Sequence, residues 1–305
     1  MTRIQKSKPL KDLTTLGIGG PARFFCEAKS EKELLEALRR AREKKVPWYI
    51  LGSGSNLVVS DKGFPGLIIK ANIRKFSRDR SKVLAGAGNE LLAFIRKINR
   101  LGLGGVERMA GIPGTIAGAI YGNAGAYGQE ICENLRRVRI FDGRNFRWLS
   151  RRACRFFYRD SIFKKHKNWA IVEAEFSFKK GKPKELSRIS REIIKLREKK
   201  YRPSLLCPGS FFKNIIFKNL PKSAQKKIPP DKVMYGKVSA GYLLEVVGAK
   251  GLSKGGIKIA KHHANLFYNS GGGKAQDIKK LAIILKDRVM KKFGVELEEE
   301  VQYLG

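Results

Sequence analysis

The sequence WYILGSGSNLVV at residues 48–59 places a glycine-rich turn between two short apolar runs. Short apolar runs bounded by turn residues are typical of buried strands, so we predict strands at Trp48–Leu51 and Leu57–Val59. The residues of the turn are Gly52, Ser53, Gly54, Ser55 and Asn56. Glycine lets backbone N–H groups approach an anion, and serine and asparagine add donors, so the turn suits a pyrophosphate. A plain tight turn explains the same residues. The motif does not open a helix with G-x-G-x-x-G spacing, so a nicotinamide Rossmann site is not supported.

The elements around this turn alternate irregularly between helix and strand. Ser30 and Glu33 form a capping box that predicts a helix ending before Pro47. A second helix is predicted to begin near Leu91. Further predicted helices cover Glu185–Lys200, Ala240–Val247 and Asp277–Phe293. Predicted strands cover Gly66–Ala71, Val138–Phe141, Trp169–Phe178, Phe211–Phe217 and Ala264–Tyr268. This order indicates an α+β protein rather than a regular doubly wound sheet.

A second segment rich in small residues lies about sixty residues after the first. Its candidate cofactor-binding residues are Gly111, Ile112, Pro113, Gly114, Thr115, Gly118 and Asn123. We interpret the uncharged segment Met109–Gln129 as a buried glycine-rich loop, because its glycines and Pro113 make it too weakly hydrophobic and too flexible for a membrane helix. Close packing of backbone against backbone is the alternative explanation. Two such loops near strand ends favour a dinucleotide more than either loop alone.

The composition limits the class of protein. The chain has 305 residues, with 64 Lys and Arg against 27 Asp and Glu, a net charge of +37. This charge raises the possibility of nucleic-acid binding, but the basic residues are spread along the chain and match no recognition motif. A lysine-rich solvated surface is the simpler explanation. The four cysteines and the adjacent His262 and His263 lack metal-site spacing, so we predict no metal and reduced thiols.

Three polar residues stand out as candidates for chemistry. Ser210 follows a glycine and precedes an apolar run, Arg159 follows an aromatic stretch, and Glu300 ends an acidic trio. Each has an ordinary explanation: a turn serine, a surface arginine and a solvated acidic run. A hydrolase is disfavoured because Cys207–Phe211 departs from the G-x-S-x-G elbow.

Eight segments of the chain, taken in order, resemble the UDP-N-acetylenolpyruvoylglucosamine reductase family. The resemblance rests on eight segments spread over nearly the whole chain, and their order is more specific than any one of them. They are Leu13–Gly19, Gly52–Asn56, Gly111–Gly128, Tyr158–Lys164, Gly209–Asn214, Ala240–Gly248, His263–Asn269 and Phe293–Gly305.

The resemblance implies a two-subdomain FAD-binding region of the vanillyl-alcohol-oxidase type, followed by a C-terminal α+β substrate domain. We expect FAD-binding subdomains at residues 1–72 and 73–200 and the substrate-binding domain at 201–305. The implied reaction uses NADPH and FAD to reduce UDP-N-acetylglucosamine enolpyruvate to UDP-N-acetylmuramate for peptidoglycan. By match of motif, Arg159, Ser210 and Glu300 correspond to the catalytic residues. Lys213, Asn214 and His263 fall where substrate contacts are expected.

The sequence departs from the family pattern at several positions. Glu299 stands where proline is usual, which blurs the identity of the catalytic glutamate, although the register before Val301 favours Glu300. Ile215 replaces a frequent proline and Tyr242 a common tryptophan. Arg159 and Ser210 are only 51 residues apart, which resembles the shorter subtype that lacks an inserted substrate loop.

Two alternatives remain at this point: a flavin oxidase of the same superfamily acting on another sugar or alcohol, and a basic nucleic-acid-binding protein. The oxidase requires a base rather than the proton donor that Ser210 would supply. We expect a cytoplasmic monomer or weak dimer, with a small-molecule substrate and neither a membrane nor a specific nucleic acid as partner.

Overall fold

The computed structural model describes residues 2–305 and contains seven α-helices. They are α1 (Glu31–Glu43), α2 (Leu91–Arg100), α3 (Ile116–Tyr121), α4 (Pro183–Lys200), α5 (Lys222–Gln225), α6 (Ala240–Val246) and α7 (Ala275–Phe293). Five of the seven agree with the periodicity of the sequence, α3 and α5 being the exceptions. Ser30 caps α1 by accepting a hydrogen bond from the backbone N–H of Glu33, as the capping box predicts. Gly294, in the left-handed conformation, ends α7.

The strands are short, and most of them belong to small sheets. The first half of the chain contributes β1 (Gln5–Pro9), β2 (Pro21–Ala28), β3 (Trp48–Leu51), β4 (Leu57–Val59), β5 (Phe64–Ala71), β6 (Phe76–Asp79), β7 (Lys82–Gly86), β8 (Leu103–Gly104), β9 (Gly125–Ala126), β10 (Gln129–Glu130), β11 (Leu135–Phe141) and β12 (Phe146–Ser150). The second half contributes β13 (Ala170–Ser177), β14 (Lys179–Lys180), β15 (Ile215–Ile216), β16 (Val233–Met234), β17 (Lys237–Val238), β18 (Ser253–Lys254), β19 (Ile257–Ile259), β20 (Phe267–Asn269) and β21 (Gln302–Leu304).

The chain forms two compact units. Unit 1 comprises the segment ending at Lys8, Ala22–Ser53 and Pro65–Lys199. Unit 2 comprises Pro9–Pro21, Gly54–Phe64 and Lys200–Gly305. The expected three-domain division at residues 72 and 200 stays a prediction.

Besides two small sheets of two strands each, β9-β10 and β8-β14, unit 1 contains two larger sheets, one from each of the chain regions expected to form FAD-binding subdomains. The first has the order β1-β2-β5-β3, with β3 parallel to β5, and its core includes Leu34 of α1 and Ile69 of β5. The second has the order β12-β11-β13-β7-β6, in antiparallel pairings. Leu91, Ile95 and Ile98 bury the apolar face of α2 in the core of this second sheet.

Unit 2 is built around α7. Leu281, Leu285 and Val289 of this helix are buried in one core with Phe211 and Phe212. The strands β18, β19 and β20 form an antiparallel sheet, and β21 pairs in parallel with β4. The parallel pair brings residues 57–59 beside residues 302–304, which places the end of the chain next to the glycine-rich turn.

Three local predictions are wrong in detail. Gly111–Gly128 is not simply a loop, because it contains α3, whose first turn is capped by the Thr115 hydroxyl accepting from the N–H of Gly118. The strand predicted at Ala264–Tyr268 is Phe267–Asn269, because two backbone turns, at Ala260–His263 and His263–Leu266, precede it. Of the predicted strand Phe211–Phe217, only Ile215–Ile216 forms a regular strand, and the preceding residues make isolated bridges.

The sequence argues against a membrane helix in the uncharged segment Met109–Gln129. No helix within residues 2–305 combines the length and the apolar character required to cross a membrane.

Candidate active site

Ser210 stands at the start of an extended segment that is anchored by two buried aromatic rings. Phe211 and Phe212 are fully buried, and the Phe211 ring stacks on Phe267 with centroids 4.1 Å apart. Ser210 itself is half-buried, and its Oγ lies 2.8 Å from the hydroxyl of Tyr201. The serine is therefore held on a rigid segment while its hydroxyl keeps a hydrogen-bonding partner.

A buried amide fixes this segment from one side. The Asn265 side chain accepts a hydrogen bond from the N–H of Phe212 and donates one to its carbonyl oxygen, both at 2.8 Å. The backbone N–H of Phe211 donates to the carbonyl of Asn265 at 3.0 Å. Asn265 is thus a positioning residue. It lies within the matched segment His263–Asn269, but the sequence alone indicates no role for it.

The acidic trio lies along the other side of the same segment. The N–H of Glu300 donates to the carbonyl of Phe211 at 2.7 Å, and Phe212 pairs with Glu299 in an antiparallel bridge. This pairing brings the backbone of Glu300 next to the residue that follows Ser210. The side-chain amide of Asn56 also donates to the carbonyl of Glu300 at 2.9 Å.

The three glutamates have different surroundings. The Glu298 side chain is largely exposed and forms an ion pair with Lys213. The Glu299 carboxylate lies 2.5 Å from Nζ of Lys286, well shielded from solvent. Glu300, the last of the three in sequence, is half-buried. Two of the three carboxylates therefore form ion pairs with lysines that are not among the predicted catalytic residues.

The predicted substrate residues also lie in unit 2. The side chain of Lys213 pairs with Glu298, and the exposed Asn214 accepts a hydrogen bond from the N–H of Ala240 at 3.2 Å. Nδ1 of His263 accepts from the N–H of Asn265 at 3.1 Å. Burial, reinforced by the Lys200 ammonium, lowers the pKa of His263 to about 4, so its imidazole is neutral at physiological pH.

Arg159 lies in unit 1 and has an unusual backbone. Its φ of 53° is in the left-handed region, which is strained for a residue with a Cβ. The guanidinium donates to the carbonyl oxygens of Gly125 at 2.6 Å and Asn123 at 3.4 Å, and it lies over the ring of Tyr158. Such strain is concentrated at functional sites, because surrounding contacts must hold the residue in place.

The two predicted phosphate-binding segments meet in unit 1 at Gly52 and Thr115. A Cβ on Gly52 would lie only 2.9 Å from Oγ1 of Thr115, so the close approach requires glycine here. Gly118 is exposed beside this threonine. Small residues and a hydroxyl around open backbone suit a phosphate-bearing group, and these residues fit the pyrophosphate of FAD. Asn123 differs, since it is buried and its amide donates to Glu130 and to the carbonyl of Phe157.

The remaining turn residues, Gly54, Ser55 and Asn56, are assigned to unit 2. Gly54 has a φ of 64°, and a Cβ there would lie 2.0 Å from the carbonyl oxygen of Leu13. The Thr15 hydroxyl donates to the carbonyl of Cys207 at 2.8 Å, and its N–H donates to the carbonyl of Gly54 at 3.3 Å. The turn is therefore tied to the segment that leads to Ser210. Across residues 2–305, His, Cys, Asp and Glu form no group of three or more that could hold a metal ion.

Comparison with known proteins agrees with this geometry. Residues 22–145 match the model of an FAD binding domain, and residues 202–304 match the C-terminal domain of UDP-N-acetylenolpyruvoylglucosamine reductase. The solved structure of that reductase from Thermus caldophilus is 29% identical and aligns with a TM-score of 0.78 over the whole of both chains. Two curated reductases are also similar, from Solibacter usitatus (45% identity over 99% of this chain and 97% of that protein) and Caldicellulosiruptor bescii (36%, 98% and 90%).

The fold and the FAD-binding match define an FAD-dependent oxidoreductase of α+β architecture. The chain belongs to the UDP-N-acetylenolpyruvoylglucosamine reductase family. This confirms the predicted family, fold class and flavin cofactor, and it favours the reductase over both alternative functions.

Proposed function

We propose that this protein uses NADPH and FAD to reduce UDP-N-acetylglucosamine enolpyruvate to UDP-N-acetylmuramate, a peptidoglycan precursor. The observation that carries the proposal is the pairing of the Ser210 segment with the acidic trio in a chain similar to named reductases over its full length. This pairing places the backbone of Glu300 next to the residue that follows Ser210. A serine hydroxyl and a carboxylate are both groups that can hold and deliver a proton.

FAD, held by the two glycine-rich segments, would supply the hydride-transfer chemistry between NADPH and the β-carbon of the enolpyruvyl ether. The protein's own task is to stabilise the negative charge that then develops on the substrate carboxylate and α-carbon, and to supply a proton. The proposed groups are Arg159 for charge stabilisation, Ser210 Oγ as the proton donor to the α-carbon, and Glu300 as a polarising or relaying group.

The surroundings of the acidic trio support Glu300 over its neighbours. The Glu298 carboxylate is largely exposed and pairs with Lys213, and the Glu299 carboxylate is held by Lys286, so both already have a lysine partner. The backbone of Glu300 is the one that bonds directly to Phe211, the residue after Ser210.

We assign FAD binding to the two glycine-rich segments. The contributing residues are Gly52, Ser53, Gly54, Ser55, Asn56, Gly111, Ile112, Pro113, Gly114, Thr115 and Gly118. The close approach of Gly52 and Thr115 supports this assignment. For Asn123, the buried hydrogen bonds support an indirect role, in which its backbone carbonyl receives the Arg159 guanidinium. Lys213, Asn214 and His263 are proposed substrate contacts.

We further propose that the protein works in the cytoplasm as a monomer or weak dimer. Its four cysteines are free thiols, which fits a reducing compartment. Burial raises the pKa of Cys26 and of Cys154 to about 12, so neither forms a reactive thiolate. Light scattering on the purified protein measures the oligomeric state directly.

An anaerobic half-reaction experiment tests the proposed function. The purified protein should be yellow, NADPH should bleach it, and the UDP-enolpyruvyl sugar should restore the colour. In Ser210→Ala, bleaching should persist while colour recovery slows by about 10²–10⁴-fold. Ser204→Ala, on the exposed preceding segment, is the matched control and should recover like the parent protein. Failure of the sugar to restore colour in the parent protein would remove the proposed reaction.

A further inference from the structure

A cavity of about 650 Å³ lies in unit 1 beside the turn that follows β12. Its walls carry four basic side chains and two aromatic rings, from Arg151, Arg152, Arg155, Lys165, Phe156 and Phe157. Asp160 is the one carboxylate among the lining residues. Arg151, Arg152 and Arg155 reach this cavity from the turn at residues 151–154 and the residue after it. Lys165 directly follows the short 3-10 helix Ile162–Lys164, and none of these four residues is assigned to the proposed reaction.

The basic side chains of this cavity differ from those on the neighbouring hairpin. On β11 and β12, Arg137 and Arg147 pair with Glu175 and Asp142 at 2.7 and 2.8 Å. By contrast, Arg151, Arg152, Arg155 and Lys165 form no ion pair with any carboxylate of the described chain.

Lack of a partner is not by itself informative in this protein, since basic residues outnumber acidic ones by 64 to 27. The informative feature is that four such cations converge on one concave surface, where their mutual repulsion is unfavourable unless an anion enters.

The turn that presents them is firmly anchored. Cys154 is fully buried, its N–H donates to the carbonyl of Ser150, and its own carbonyl accepts from Ile162 at 2.9 Å. Arg155 is held at a φ of 47°, in the strained left-handed region. The arginines are therefore presented on a fixed backbone.

We propose that this cavity binds a nucleoside polyphosphate. The arginines and the lysine match the charge of a polyphosphate chain, and guanidinium groups bind phosphate oxygens in bidentate geometry. Phe157 is 70% exposed at the cavity wall, where its ring offers a face on which a base can stack. Asp160 can accept hydrogen bonds from ribose hydroxyls. The volume lies within the range of small-molecule sites.

Equilibrium dialysis with ATP tests the proposal on the FAD-loaded enzyme. Replacing Arg151, Arg152 and Arg155 together by Gln should weaken ATP binding about 100-fold, because three charge-assisted contacts are lost. Phe157→Ala should weaken it about tenfold through loss of stacking. Tripolyphosphate should bind more weakly than ATP for the same reason.

The matched control replaces three exposed lysines of the same unit, Lys182, Lys184 and Lys195, by Gln, with the same change in net charge. It should leave ATP affinity within about twofold of the parent protein. ATP resembles the nucleotides of the proposed reaction, so the difference between the two triple variants, not binding alone, is decisive. Arg152→Gln provides a single substitution if the triple variant loses its FAD. Equal losses in both triple variants, unchanged binding in the arginine variants, or tripolyphosphate binding as tight as ATP would each overturn the proposal.

Discussion

The hydroxyl of Tyr201 lies 2.8 Å from Oγ of Ser210, and either oxygen can donate the hydrogen bond that joins them. The ammonium nitrogen of Lys200 lies over the Tyr201 ring, 4.9 Å from the centroid of that ring. A serine that gives up its proton benefits from a neighbouring hydroxyl that can donate to the oxygen left behind. Tyr201 is therefore placed to orient the proposed proton donor and to stabilise it after proton transfer.

Removing this hydroxyl should affect one half-reaction only. In Tyr201→Phe, we expect the step in which the sugar restores the flavin colour to slow by about tenfold, because one hydrogen bond to the reacting oxygen is lost. Bleaching by NADPH should keep its rate. Stopped-flow absorbance of the flavin measures both steps.

Tyr235→Phe is the matched control for that substitution, since Tyr235 is 79% exposed in the same unit. It should leave both half-reactions unchanged. Equal slowing of bleaching and recovery in Tyr201→Phe would indicate a general structural defect and contradict the positioning role.

The Asn265 amide should carry a large share of the local stability of unit 2. Asn265→Ala removes two hydrogen bonds and leaves the N–H and carbonyl of Phe212 buried without partners, so we expect a loss of about 2–4 kcal/mol in the free energy of unfolding. Urea unfolding measures this difference. Asn265→Asp keeps the volume but replaces the donor with an oxygen, so it should be comparably destabilised. If only Asn265→Ala loses free energy of unfolding, the loss comes from the cavity that the missing side chain leaves and not from the lost hydrogen bonds.

Local elements of this fold follow from the sequence, whereas contacts between distant residues do not. The strands flanking the first glycine-rich turn and the end of α7 at Gly294 are as predicted, because apolar runs and a C-cap act within a few residues. The sequence does not predict α3 because Gly118 within it and the glycines that flank it suppress helix propensity, which the Thr115 cap and burial of Ile116 and Ile120 override.

In the candidate active site, too, contacts between distant residues do not follow from the sequence. The motifs indicate Ser210 and Glu300, but the bond from Asn56 to the carbonyl of Glu300 spans 244 residues and leaves no local signal. Tyr201 and Asn265 are ordinary residues in sequence, and only tertiary packing gives them their positions beside the serine segment.

Neutralising Glu299 and Glu300 one at a time should have different effects on stability and on the half-reactions. Glu299→Gln removes the ion pair with Lys286, so we expect a loss of about 0.5–1 kcal/mol in the free energy of unfolding and normal half-reactions. Glu300→Gln should instead slow the sugar-dependent recovery of the flavin by about 100-fold or more, because a proton-relaying carboxylate is lost. Measuring flavin recovery in both variants distinguishes them, and a larger kinetic defect in Glu299→Gln would reassign the role.

The buried imidazole of His263 should make stability depend on pH. Burial, assisted by the Lys200 ammonium, lowers its folded-state pKa from 6.5 to about 4, so the unfolded chain binds a proton more readily than the folded one. The stabilising contribution is therefore complete above about pH 6.5 and is lost progressively as pH falls through about 4. Partial solvent exposure reduces its size to on the order of 1 kcal/mol.

Urea unfolding at about pH 7 and pH 4.5 measures this contribution. Between these values the parent protein should lose more free energy of unfolding than His263→Gln, while carboxylates common to both proteins cancel in the comparison. His262→Gln, which alters the exposed neighbouring histidine, should lose as much as the parent. If parent and His263→Gln lose equal amounts, the imidazole is protonated as easily in the folded state as in the unfolded one, and its burial does not set its charge.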